Sequence, residues 1–211
     1  AGSGSFAVVL KADGTVSVPG SNPVLQPQPP SGLRRVVAVA AGEFHALALL
    51  DDGTVVGWGD RYFGQTTMPL DFEGVVDLAL SEGYVIARKA DGKTKIWGEV
   101  ASGVPGLADS LSNVKSVSAG ESMIVALRSD STVVSWAIGY PLIDRQPPSG
   151  LSGVVAVSAG DGHGLALKRD GTVVGWGNGP MYATRVPDGL QDVVAIAAGK
   201  QHSVALKNDG T

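Results

Sequence analysis

VVAVSAGDGHGLALKRDGTVVGWGNG, residues Val154 to Gly179, contains one complete structural unit. A first apolar run stops at Gly160. A second, alternating small and large (Gly164, Leu165, Ala166, Leu167), stops at Asp170-Gly171, and a third, Thr172 to Trp176, follows at once. Asp-Gly between two β-rich runs is the strongest short-range hairpin signal. The stretch therefore predicts three short antiparallel strands, inner, middle and outer, with a type I′ turn in which Asp and Gly both take positive φ.

The turn Asp recurs at Asp13, Asp52, Asp91, Asp130, Asp170 and Asp209, at spacings of 39, 39, 39, 40 and 39. Trp58, Trp97, Trp136 and Trp176 keep step six residues later, with Pro19 in their place in the first copy. A fixed period of roughly 20 to 50 residues marks a solenoid, an array or a propeller. Three strands per unit predict an all-β propeller of period about 39 in a single domain, residues 1–211. Its units are 1–35 (no inner strand), 36–74, 75–113, 114–153, 154–192 and 193–211 (inner and middle strands only).

The runs also predict how the sheets pack. Inner strands such as Val36 to Gly42 are apolar on both faces, as a strand covered on each side must be. Middle strands put Leu47 and Leu49, Val125 and Leu127, Leu165 and Leu167, or Val204 and Leu206 on one face. Ala46 and Ala48, or Gly164 and Ala166, lie on the other, so each sheet can interdigitate with the next.

Composition excludes several classes of function. Sixteen basic and 20 acidic residues give a net charge of -4, with no electrostatic footprint for nucleic acid or an anionic membrane. The absence of Cys removes disulfides, thiolate metal sites and cysteine nucleophiles. The apolar runs have strand length, well short of a bilayer-spanning helix. The first unit starts at once without a leader, so the chain is expected to derive from a longer one or to have lost a leader.

The pattern AGxxHxLALxxDGxVxxWG, in Ala41–Gly59 and Ala159–Gly177 and more loosely in Ala119–Trp136, resembles the repeat of the regulator of chromosome condensation family. GDRYFGQTTMP, Gly59 to Pro69, is similar to the bacterial propeller-type β-lactamase inhibitory proteins. The resemblance implies a ring usually of seven blades, so the five to six units here either close as five blades with a spare strand or form an arc of a larger ring. It also implies a protein-binding role outside the cytoplasm. The family's exchange-factor role needs a wedge-like insertion, and no unit here exceeds 40 residues. A lectin-like carbohydrate-binding propeller and a β-lactamase-inhibitor-like protein are the alternatives; no catalytic residues, cofactor or metal are expected. The partial terminal units make self-association a further expectation.

Candidate residues have to be read against the repeat. His45, His163 and His202 share one position with Phe6, Tyr84 and Met123, which asks for bulk and not for a ligand. A packed ring with one nitrogen bonded to the next blade's backbone is the expected role. Two features go beyond packing. Glu43, Glu82, Glu121 and Asp161 hold one repeat position directly after the inner strand and predict an arc of negative charge on one rim. Aromatic residues fill two loop series that should open on a common face: Phe44 after the inner strand, and Tyr62, Phe63, Tyr140 and Tyr182 after the Trp, with Arg61 beside them. In the inhibitory proteins such loops carry the residues that grip the target, and Phe44, Tyr62 and Phe63 match those positions.

Overall fold

Each inner strand enters its sheet through a residue with positive φ: Arg35, Gly74, Asn113, Gly153 and Asp192. The computed structural model describes residues 2–3, 6–19, 27–99, 111–138, 145–178 and 183–211. It forms two compact units, Ala1–Ser110 and Leu111–Thr211. Every regular element among the described residues is a strand.

In the first unit, β1 (Gly2–Ser3) pairs with β2 (Phe6–Ala7), and β3 (Val9–Leu10) with β4 (Val16–Ser17). Two three-stranded antiparallel sheets follow: β5 (Val36–Ala41), β6 (His45–Leu50) and β7 (Val55–Gly59), then β8 (Val75–Leu80), β9 (Tyr84–Lys89) and β10 (Thr94–Gly98). The second unit repeats them as β11 (Val114–Ala119), β12 (Met123–Arg128) and β13 (Val133–Ala137), and as β14 (Val154–Ala159), β15 (His163–Lys168) and β16 (Val173–Gly177). β17 (Val193–Ala198) and β18 (Ser203–Lys207) make a two-stranded sheet. The inner, middle and outer order is as the repeat predicts. The first copy differs in two respects: it does have an inner rung, β1, and its middle strand is split at Val8.

The turn is not type I′. Gly53 N–H donates to Leu50 O at 3.0 Å and Leu50 N–H to Thr54 O at 2.8 Å, so three residues and not two connect the strands. Positive φ falls on Gly53, Gly92 and Gly171 but on none of the preceding Asp residues. This is a type I turn closed by a left-handed residue in a G1 bulge. The Asp serves through its carboxylate, which accepts the N–H two residues on, as Asp52 does from Thr54 at 2.9 Å and Asp170 from Thr172 at 3.1 Å. A second bulge sits at the start of each inner strand, between Val36 and Ala38 in β5, and turns Val37 outward to solvent.

Within each unit the large face of one sheet meets the small face of the next. Leu47 and Leu49 pack with Val85, Ala87 and Trp97, and Val125 and Leu127 pack with Ala166 and Trp176. The Trp of an outer strand therefore lies between two sheets, and its indole N–H reaches a loop carbonyl: Trp58 to Pro27 O at 2.9 Å, Trp97 to Gln65 O at 3.0 Å and Trp176 to Arg145 O at 2.9 Å.

In the second unit the sheets also converge at the ends of the inner strands. A Cβ on Gly120 would overlap the carbonyl oxygen of Gly160, and one on Gly160 would lie 2.5 Å from that of Gly199. Alongside, Ser118 Oγ accepts the N–H of Ala159 and Ser158 Oγ that of Ala198, each at 2.9 Å. These serines tie each inner strand to the next.

Candidate protein-binding surface

The loops after β5 and β7 are bonded to each other. Asp60 N–H donates to Phe44 O at 2.9 Å, holding the two segments edge to edge. Gly59 makes the approach possible, because a Cβ there would overlap that same carbonyl oxygen. Asp60 then caps the next turn: its carboxylate accepts the N–H of Tyr62 at 3.0 Å and the side-chain amide of Gln65 at 3.3 Å. Gln65 Oε1 accepts Phe63 N–H at 2.9 Å. Gln65 is buried although it belongs to a polar stretch, and its carbonyl also holds Trp97. It is the hub of the loop, and sequence reasoning passed over it; the signal available was one polar residue in a fixed place between a turn Gly and the Pro.

On this frame stand three exposed rings. Phe44 is 43% exposed, Tyr62 84% and Phe63 41%, and the last two meet edge to face with centroids 4.9 Å apart. Arg61 is exposed and Glu43 half-buried in the same two loops. Tyr140 and Tyr182 lie outside the described residues.

The acidic positions differ among themselves. Glu43 and Glu82 are half-buried in the first unit. In the second, Glu121 is paired with Lys200 at 2.9 Å, and Asp161 Oδ1 accepts the hydroxyl of Ser122 at 2.9 Å. Arg145 joins this cluster by donating to Ser122 Oγ at 2.8 Å. Asp161 thus binds a side chain of the preceding sheet, and Glu121 one that follows the inner strand two sheets on.

Two of the three histidines are packed. His45 and His163 are buried with their rings over Gly42 and Gly160, where a Cβ would overlap them; His202 stacks on Gly199 but is exposed. The expected backbone partner is replaced by a side chain: His163 Nε2 lies 3.0 Å from Ser203 Oγ, whose own proton goes to Ala183 O at 2.7 Å. The imidazole therefore donates to the serine, the reverse of what a nucleophilic serine requires. At the position of Ser203 the sheet next to His45 has Val85, and both ring nitrogens of His45 lack a partner among the described residues. Among the described residues no group of three or more His, Asp or Glu is placed to hold a metal ion.

Burial holds both imidazoles below the usual value of 6.5; nearby Asp60 and Asp161 oppose this weakly at His45 and His163. The unfolded chain therefore binds more protons than the folded one below that value. Stability is full above about pH 6.5 and declines as pH falls toward the depressed folded-state value. Asp170 and Asp209, held at about 2 by their Thr and Lys partners, add a second decline as pH falls from 3.8 toward 2. His45→Phe, a residue the first copy already uses, is expected to melt like the parent at pH 8 and above it at pH 5. Thermal melts across pH check this; an unchanged pH profile would reject it.

The model of the regulator of chromosome condensation (RCC1) repeat matches residues 36–65 and 154–181, two copies of the unit built above. These two units are RCC1-type repeats. Solved structures give the same fold. The CRINKLY WD40 ectodomain of the Arabidopsis thaliana receptor kinase ACR4 superposes with a TM-score of 0.73 at 20% identity, over 97% of this chain and 72% of that one. Human WBSCR16 gives 0.75 at 20% identity, over 97% and 70%. Yeast RCC1 (Prp20), solved bound to Kap60, gives 0.66 at 21% identity, over 93% and 57%. No curated protein sequence matches the chain significantly. The likeness shows the fold, a β-propeller architecture of about five to six blade units.

Proposed function

We propose that this RCC1-type propeller is a non-enzymatic protein-binding module that uses the loops after β5 and β7, with Phe44, Tyr62 and Phe63 as anchors and Arg61 and Glu43 at their edge. One observation carries the reading: three exposed rings stand on loops fixed by four hydrogen bonds between Phe44, Asp60, Tyr62, Phe63 and Gln65. Exposed rings on a mobile loop would lose entropy on docking, whereas a pre-ordered loop has already met that cost. Aromatic residues and Arg are also the types in which interface energy concentrates. The solved complex of yeast RCC1 with Kap60 is in keeping with a propeller of this type binding protein. By repeat position alone, Glu82 in the same unit and, separately, Glu121, Tyr140, Asp161 and Tyr182 of the later copies are further candidates for partner binding, and the proposed setting is extracellular or at a cell surface.

Changing Phe44, Tyr62 and Phe63 together to Ala is expected to leave the melting temperature within about 2 °C, because exposed side chains contribute little to folding. Binding to a partner captured from the source organism should weaken at least tenfold. Loss of stability with unaltered affinity would assign the rings to packing. Saturable binding of glycans by the parent chain, lost in the triple variant, would replace the protein partner with a carbohydrate.

A further inference from the structure

The exposed rings of the first unit stand among carboxylates. The sheet β8–β10 repeats the loop pair described above: Glu99 N–H donates to Gly83 O at 2.8 Å, as Asp60 N–H does to Phe44 O. Gly83 holds the repeat position of Phe44 and brings no ring. Glu99 covers it instead, with a carboxylate oxygen 2.9 Å from where a Cβ on Gly83 would stand. The two sheets are close at this end, since a Cβ on Gly98 would lie 3.2 Å from Cβ of Gln65 in the aromatic loop. Phe44, Tyr62 and Phe63 therefore share one end of two adjacent sheets with Glu43, Asp60, Glu82 and Glu99.

Charge at this end is one-sided. Among the described residues of the first unit Arg61 is the one basic residue there; every other Lys and Arg, from Lys11 to Lys95, falls at or beside the Asp-Gly turns at the opposite end. The acids divide in the same way. Asp51, Asp52, Asp71, Asp77 and Asp91, toward the turn end, each form an ion pair. Glu43, Asp60 and Glu99 form none among the described residues. In the second unit the equivalent positions are compensated within the chain, because Glu121 pairs with Lys200, and Asp161 and Arg145 both bond Ser122. Rings and uncompensated acids thus coincide in the first unit alone.

We propose, building on the binding role given to these loops above, that the face takes a basic segment of a protein partner, whose guanidinium or ammonium group lies against the open rings of Phe44 and Tyr62 while Glu43 and Glu99 offset its charge. An aromatic face attracts a cation through its quadrupole, most strongly where water is pushed aside. Carboxylates of one sign around it draw a basic chain in and reject an acidic one, so they set the choice of partner and the rate of encounter. Arg61 opposes the same cation. Its removal should therefore strengthen binding, whereas removal of the acids should weaken it.

The test is an NMR titration of the whole chain with a capped hexapeptide of alternating Gly and Arg and, separately, with its twin of alternating Gly and Glu. Saturable shifts of the Phe44, Tyr62 and Phe63 amides are expected with the Arg peptide and none with the Glu peptide. The second unit should not respond. Binding should weaken about tenfold between roughly 50 and 500 mM salt, since exposed charges are screened. Glu43→Gln with Glu99→Gln should weaken the Arg peptide about fivefold, and Arg61→Gln should strengthen it about twofold, in keeping with the modest strength of exposed charge pairs. Equal response to the two peptides, response to neither, equal shifts in the second unit, or unaltered affinity in the double Gln variant would each overturn the proposal. A natural partner that loses affinity for the Phe44, Tyr62 and Phe63 triple variant but not for the double Gln variant would leave the binding face standing and remove its basic partner.

Discussion

Gly120→Ala is expected to destabilise the protein by about 3 kcal/mol or more, at or beyond the usual upper limit for overpacking. The added Cβ would overlap the Gly160 carbonyl oxygen and stand 2.5 Å from its carbon, so it meets backbone and not a side chain that can rotate away. Relief requires parting β11 from β14, which would also break the bond from Ala159 N–H to Ser118 Oγ. For a chain of this size the melting temperature should drop by roughly 6–12 °C, taking about 2–4 °C per kcal/mol. Gly189→Ala is the control. That residue also has a special backbone, with φ 77°, but nothing lies within 4 Å of its Cβ site, so only the left-handed strain of about 1–2 kcal/mol applies. If the two variants melt together, close approach of the sheets is not what the glycine serves. The third copy has Ser81 at the equivalent place, with Tyr84 in place of His and its hydroxyl bonded to that Ser. There the ring and the residue beneath it have changed as a pair.

Trp97→Ala should cost about 3–5 kcal/mol, the range for truncating a large buried aromatic side chain. The indole fills the space between β6 and β9, touching residues from both sheets and from the intervening loop. Its removal would leave a cavity and an unpaired Gln65 carbonyl. Because Gln65 also orients Phe63, loosening of the aromatic loop should follow, seen as faster amide exchange at Phe63. Trp97→Phe keeps most of the volume and loses the donor, and it should recover more than half of the loss. Equal melting of the Ala and Phe variants would place the stabilisation in the hydrogen bond and not in packing. Chemical denaturation with fluorescence and circular dichroism together measures both.

The aromatic patch shows how far sequence carries a functional reading. That Phe44, Tyr62 and Phe63 interrupt a repeat with no packing need for rings is visible from the letters. That the Asp60 amide bonds the Phe44 carbonyl of the other loop is not, because a hydrogen bond between segments far apart in the chain leaves no local periodicity. The acidic series is a second case. Four acids at one repeat position look alike in sequence, yet Glu121 meets Lys200 from two sheets on and Asp161 meets Ser122 of the preceding sheet, since each answers to whatever the fold brings near it.

By itself the sequence determined the three-strand unit, its period, the register of the tryptophans and the division of each middle strand into a large and a small face. Those features follow from side-chain alternation and from turn residues, which act over a few positions. It also placed a turn at each Asp-Gly but not its form, because two- and three-residue loops share that dipeptide and strand register chooses between them. Only the tertiary structure decided why the inner-strand glycines of the second unit resist replacement, and which buried histidine has a partner among the described residues and which has none. Each depends on a surface that another copy of the repeat brings into contact, and the residues at the point of contact are far apart in the chain.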